Sequence, residues 1–170
     1  MNDQERCEVE WCSFAWDVID GTMISSRILT AAQSLAELIE SSGHRSATRC
    51  SPELWSPLEY ACHVRDVLLN LRDRLIVALN EDNPLPKGLY GTPRIEQGLY
   101  RGDRVDEVGK EVRMAASLFV RTWDRIPLDQ RHRTMVYGYP TVANRSLTWV
   151  AAQALHEVEH HLADIRLQSE

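Results

Sequence analysis

The sequence predicts an all-α protein built as a four-helix bundle. Four stretches of roughly 20 to 25 residues carry apolar side chains at helical spacing, while strand patterning is weak. The connectors are unequal, and the one between the second and third helix is long (about 20 residues, Asp82 to Gly102) and rich in Pro and Gly. No period of about 20 to 50 residues recurs, which excludes repeat architectures.

The first helix is expected from Gly21 to Ser41, on the spacing of Ile24, Ile28, Leu29, Ala32, Leu35, Leu38 and Ile39, with Asp20 as N-cap and Gly43 as stop. The second runs from Ser56 to Glu81. Ser56 caps it, Pro57 suits the first helical position, and Glu59 stands where a capping-box glutamate belongs. The third spans Asp103 to Ile126 and is ended by Pro127. Between Thr134 and Val142 a short hairpin around Gly138 is the strand candidate. The fourth helix follows a Ser146 cap and ends near Leu167.

A chain of 170 residues reads as a single domain over 1–170. Its net charge of −6 argues against nucleic acid as a partner, because phosphate binding needs a basic surface. No apolar run reaches the roughly 20 residues of a membrane span. The polar start, Met1 to Arg6, is unlike a signal peptide, so the cytosol is the expected compartment. The four cysteines (Cys7, Cys12, Cys50, Cys62) form no C-x-x-C pair, and Cys7 and Cys12 are read as ordinary buried or half-buried thiols.

Three of the six histidines (His156, His160, His161) crowd into one short stretch of helix four. His156 and His160, with Glu157 between, match H-E-x-x-H, whereas Glu157 and His161 form a second pair four apart. Helical phase separates them. With Ala154 at zero and 100° per residue, the apolar residues fall between about −40° and +60°. His161 then lies at about −20° and Glu157 at about −60°, on or beside the buried face. His156 and His160 fall at about 200° and 240°, on the far side with Trp149, Gln153 and Leu167. That far face is a candidate contact surface for a homodimer. The H-E-x-x-H frame remains the alternative ligand set.

A third ligand is expected from helix two, where His63 borders the apolar face. The surroundings match: Glu59, His63 and Asp66 repeat the spacing of Glu157, His161 and Asp164. Each trailing aspartate is placed to accept a hydrogen bond from the histidine's other ring nitrogen, fixing its tautomer. His63 lies about 10 Å into helix two and His161 about 22 Å into helix four, at 1.5 Å per residue. The two meet only if these helices are antiparallel. That requires up-down-down-up order with a long crossover between helices two and three, where the long connector lies.

At these residues the chain resembles the DinB/YfiT-like superfamily of helical metalloproteins. The matching pieces are the tryptophan-led Trp55–Val67 and the helix-four segment His156–Ile165. Aligned on Asp164-Ile165, the resemblance implies metal ligands at His63, Glu157 and His161. A Glu in the middle position is most similar to the N-terminal domain of the mycothiol-dependent maleylpyruvate isomerase branch. That branch often carries a further C-terminal domain, whereas helix four here runs to the end of the sequence. The resemblance implies a divalent metal, zinc first, with nickel, manganese or iron as other candidates. It also implies a low-molecular-weight thiol such as mycothiol.

The leading expectation is therefore a metal-dependent enzyme of small-molecule thiol chemistry, an S-transferase or isomerase in type, with Glu59 either a proton acceptor or only a cap. The alternatives are a metal-dependent hydrolase using water, and a non-enzymatic metal-binding stress-response module.

Overall fold

The computed structural model describes residues 5–168. The helices are α1 (Ile24–Ser42), α2 (Pro57–Asn80), a short α3 (Gly91–Glu96), α4 (Val105–Arg125) and α5 (Leu147–Leu167), and a hairpin of β1 (Thr134–Tyr137) and β2 (Ala143–Ser146) precedes α5. No helix is long and apolar enough to cross a membrane.

Local chemistry sets most of the boundaries. Ser56 accepts a hydrogen bond from the Glu59 amide at 3.2 Å, and the Glu59 carboxylate accepts from the Ser56 amide at 2.8 Å, a complete capping box with Pro57 behind it. Ser146 accepts from the Trp149 amide at 3.1 Å to start α5. Gly43 ends α1 with φ of 55°, a left-handed geometry that glycine adopts without penalty. At the other end of α1 the expectation needs correction. Asp20 accepts from the Thr22 amide and hydroxyl, closing a turn of its own, and the helix begins only at Ile24.

α1 packs against α4 and α5, α2 packs against the same two, and α1 and α2 lie largely across the diagonal. Side-chain contacts give the directions. Ser25 reaches Asp124 at 2.5 Å and Glu40 reaches Arg113 at 2.6 Å, so α1 and α4 are antiparallel. Arg65 pairs with Glu111 at 2.6 Å, so α2 and α4 run parallel. Gln168, just past α5, donates to the Trp55 carbonyl before α2 at 3.1 Å, so those two are antiparallel. The order is up-down-down-up, with the crossover between α2 and α4. Leu68, Leu71, Phe119, Trp123 and Leu155 are among the fully buried side chains that fill the centre.

Two segments differ from the expectation. The hairpin turns over 138–142, and β2 pairs Ser146 with Thr134 and Ala143 with Tyr137, beyond the expected limit at Val142. Its polar Asn144 and Arg145 hide it from a search for alternating apolar residues. More consequential is the stretch 5–19. Arg6 bridges Ala15, Trp16 stacks on Trp149 with ring centroids 5.6 Å apart, and the Trp149 indole donates to Glu5 at 3.1 Å. This segment covers the face of α5 expected to point outward. Trp149, Gln153 and His156 are buried there, and Leu167 stays exposed. The proposed dimer contact surface is thus largely occupied by the chain itself.

Ser56→Ala removes one half of the capping box that starts α2. It is expected to lower stability by about 1 kcal/mol, read as a shift in the urea midpoint at unchanged slope.

Candidate metal centre

His63 stands near the start of α2, and Glu157 and His161 lie one turn apart in the second half of α5. Antiparallel packing brings them to one level. His63 Nε2 and His161 Nε2 each lie 3.4 Å from the same atom, Glu157 Oε2. The two imidazole centroids are 5.0 Å apart. Bonds of about 2.0–2.1 Å to a tetrahedral zinc separate neighbouring donors by about 3.3 Å. The three side chains therefore have the spacing and donor types of a facial ligand set.

The electrostatics match a cation. Burial works to raise the Glu157 carboxyl, but hydrogen bonds from His161 and His63 outweigh it and hold the group well below the usual carboxylate range. Burial pulls the His161 ring down, yet Asp164 and Glu157 together push it up to about 9. Two carboxylates converge on this ring, and their combined field favours positive charge at the point where the donors meet.

Two of the three donors are oriented by hydrogen bonds with neighbours. His161 Nδ1–H donates to Asp164 at 2.8 Å, which turns Nε2, the nitrogen a metal would take, toward the cluster. Gln153 donates to Glu157 Oε1 at 2.7 Å and accepts from the Trp16 indole at 2.8 Å. Gln153 was not foreseen as a positioning residue, although it stands four residues before Glu157 on the same helix. Trp16 lies in a segment with no periodicity and carried no signal.

Asp66 requires a correction. Its carboxylate is held by Arg65 at 2.9 Å, the Tyr100 hydroxyl at 2.9 Å and Arg94, not by His63. His63 Nδ1 is buried without a hydrogen-bond partner. Gly91, the first residue of α3, packs against that edge of the ring, where a Cβ would stand 2.8 Å from Nδ1 and 2.6 Å from Cε1. Glu59 is fully engaged by the α2 cap and by two guanidinium nitrogens of Arg49, Nε and Nη2, each at 2.7 Å.

The H-E-x-x-H frame is split by the fold. His156 is 4% exposed and packs against Phe14 and Trp16, and burial pushes its ring down to about 4. His160 lies against Trp11, with ring centroids 4.5 Å apart. Both turn toward the N-terminal segment, while Glu157 turns toward α2.

Above the trio opens a cleft of about 600 Å³. Trp55, Leu71, Leu89 and Val136 contribute apolar surface, and Arg74, Tyr137 and Tyr139 contribute polar groups. The Arg74 guanidinium sits 5.2 Å from the centroid of the Tyr137 ring and donates to the Lys87 carbonyl at 2.8 Å.

His63→Ala, Glu157→Ala and His161→Ala are each expected to remove one bound divalent ion per chain, measured by elemental analysis after gel filtration. Asp164→Ala and Gln153→Ala should weaken that ion's affinity roughly 10- to 100-fold. Asp66→Ala should leave it unchanged, because its partners are Arg65, Arg94 and Tyr100. Full retention of the ion in the His161 variant would refute this ligand set.

No family model and no curated relative matches the chain. Among solved structures it is similar to YfiT from Bacillus subtilis, described as "a probable metal-dependent hydrolase with an unusual four-helix bundle topology". The identity is 14%, the match covers 97% of this chain and 92% of that one, and the TM-score is 0.79. The likeness is one of fold. It agrees with the bundle order read from the side-chain contacts.

Proposed function

We propose that the chain is a divalent-metal-dependent enzyme that presents a small-molecule nucleophile to an electrophilic substrate, and that the nucleophile is a low-molecular-weight thiol such as mycothiol. The observation that carries this reading is the placement of three converging donors beneath an open cleft of about 600 Å³. Three donors make up the cluster among the described residues, so an ion held there would be left accessible to a ligand from the cleft. His63, Glu157 and His161 would hold a divalent cation, which would supply Lewis acidity toward a thiol or water.

The remaining work falls to the protein. Asp164 and Gln153 hold His161 and Glu157 in orientation, so little reorganisation is needed when ligand arrives. Trp55 and the apolar wall line the space beside the three donors. Arg74 offers a fixed positive charge to a carboxylate on the thiol or the substrate. A cleft of this volume has room for an organic nucleophile beside the substrate.

The second reading is a hydrolase in which water takes the thiol's place, and the description of YfiT favours it. One experiment separates the two. Metal-loaded protein is incubated with haloaromatic and epoxide electrophiles with and without a panel of thiols, and separately with ester and amide substrates. Thiol-stimulated loss of the electrophile, abolished by Glu157→Ala, is the expected result. Ester or amide cleavage with no thiol stimulation across the panel would replace the proposal with the hydrolase.

Arg74→Ala should raise KM for anionic thiols or substrates roughly 10-fold or more, the worth of one charged hydrogen bond, with a smaller effect on neutral ones. Equal changes for both classes would remove Arg74 from the recognition of charge.

A further inference from the structure

Cys7 and Cys12, read from sequence as ordinary thiols, converge in the structure with His156 and His160. The ligand atoms of all four lie within 4.8 Å of one another. Cys7 Sγ is 3.9 Å from His160 Nδ1. Local geometry makes this meeting specific. The Arg6–Ala15 bridge closes a loop, the Cys7 amide donates to the Phe14 carbonyl at 2.9 Å, and the Cys12 amide donates to the Val9 carbonyl at 2.9 Å. Together these bonds fold Cys12 back toward Cys7, above two histidines that stand one turn apart on α5.

A second observation points independently to a ligand. Both ring nitrogens of His156 are buried with no hydrogen-bond partner, in a side chain only 4% exposed. Phe14 and Trp16 wall the ring in, so its nitrogens gain nothing from those neighbours. Buried polar groups are almost always satisfied, and an imidazole left with two orphan nitrogens calls for a partner.

We propose that Cys7, Cys12, His156 and His160 form a second metal site, a closed four-ligand site for a soft divalent cation, zinc foremost, that pins the N-terminal segment to α5. Two thiolates and two imidazoles are the donor set of structural zinc. A tetrahedral sphere with such bonds spaces its donors by about 3.3 to 3.8 Å, so the cluster closes around an ion with small side-chain rotations. His160 Nε2 faces Asp164 Oδ2 at 3.7 Å, which leaves Nδ1 on the cysteine side. That same Asp164 oxygen accepts from His161, so one carboxylate stands behind both sites. Binding releases the thiol protons to solvent and changes no oxidation state. All four ligands differ from His63, Glu157 and His161, and the proposal does not depend on the function assigned to that trio.

The site has a consequence for the first one. The segment it would anchor carries Trp16, whose indole holds Gln153, which in turn holds Glu157. Tethering the segment therefore stiffens a ligand of the other ion.

The test uses the full chain loaded with Co²⁺, because thiolate ligands give cobalt an intense near-ultraviolet charge-transfer band that nitrogen and oxygen ligands do not. Two cobalt ions per chain and a thiolate band are expected. A Glu157→Ala/His161→Ala variant should keep one ion and the band, and a Cys7→Ser/Cys12→Ser variant should lose the band and one ion. Alkylation of unaltered protein gives a readout that needs no variant. With zinc only exposed Cys50 should label, with buried Cys62 silent throughout, and a chelator should add half-buried Cys12. A wild-type cobalt spectrum without the thiolate band, or labelling of Cys12 that zinc does not change, would overturn the site.

Discussion

The chemistry of this bundle depends on one constraint, a carboxylate held between two antiparallel helices. Desolvating a carboxylate costs several kcal/mol unless charge and hydrogen bonds offset it. Glu157 meets that cost from three directions: His63 across on α2, His161 one turn onward and Gln153 one turn back. The α2 contribution arrives at the right height only because α2 runs against α5. α2 also runs parallel to α4, so the chain must travel the length of the bundle between them. The crossover has a second use: it delivers Gly91 to the edge of the His63 ring, where any larger residue would displace the imidazole.

The N-terminal segment completes α5 as a central helix. In an open bundle one stripe of a helix meets solvent, and Gln153 and His156 would lie on it. Here Trp16, Phe14 and the Glu5 contacts to Arg145 and Trp149 cover that stripe, so polar residues on it are buried. Gln153 is the clearest case, with its amide donating to Glu157 and its carbonyl accepting from Trp16. A segment without an α-helix or a full strand, only the short 3-10 turn Trp16–Val18, thus reaches the candidate metal centre through a single side chain.

What was legible in the sequence is what depends on neighbours a few residues apart. The Ser56 box, the Ser146 cap, the Gly43 stop and the apolar phase of each long helix are local, and each corresponds to an observed boundary or buried face. The antiparallel requirement was also legible, because rise per residue converts positions 63 and 161 into heights. Asp66 marks the limit. It has the same spacing from His63 as Asp164 has from His161, but the structure crowds it with Arg65, Arg94 and Tyr100, two of them from the crossover. Spacing says which groups are near on one helix. It does not say which stronger donor arrives from elsewhere and takes the carboxylate.

The same limit resolves the histidine cluster. Helical phase sorts residues by direction, but it assigns no neighbour to each direction, and a covered far face has the same phase as a solvated one. Glu157 and His161 face α2, whereas His156 and His160, displaced by one residue and so by about 100°, face the N-terminal segment. The string that reads H-E-x-x-H is therefore two overlapping pairs with different partners. Its middle glutamate belongs to the second pair and lies on the other side of the helix from the first pair's contacts. Asp164 joins them, bonded to His161 at 2.8 Å and facing His160 at 3.7 Å. One helix can carry two such pairs only if it is enclosed on both sides, and the cover over the second pair comes from a stretch whose sequence shows no periodicity at all.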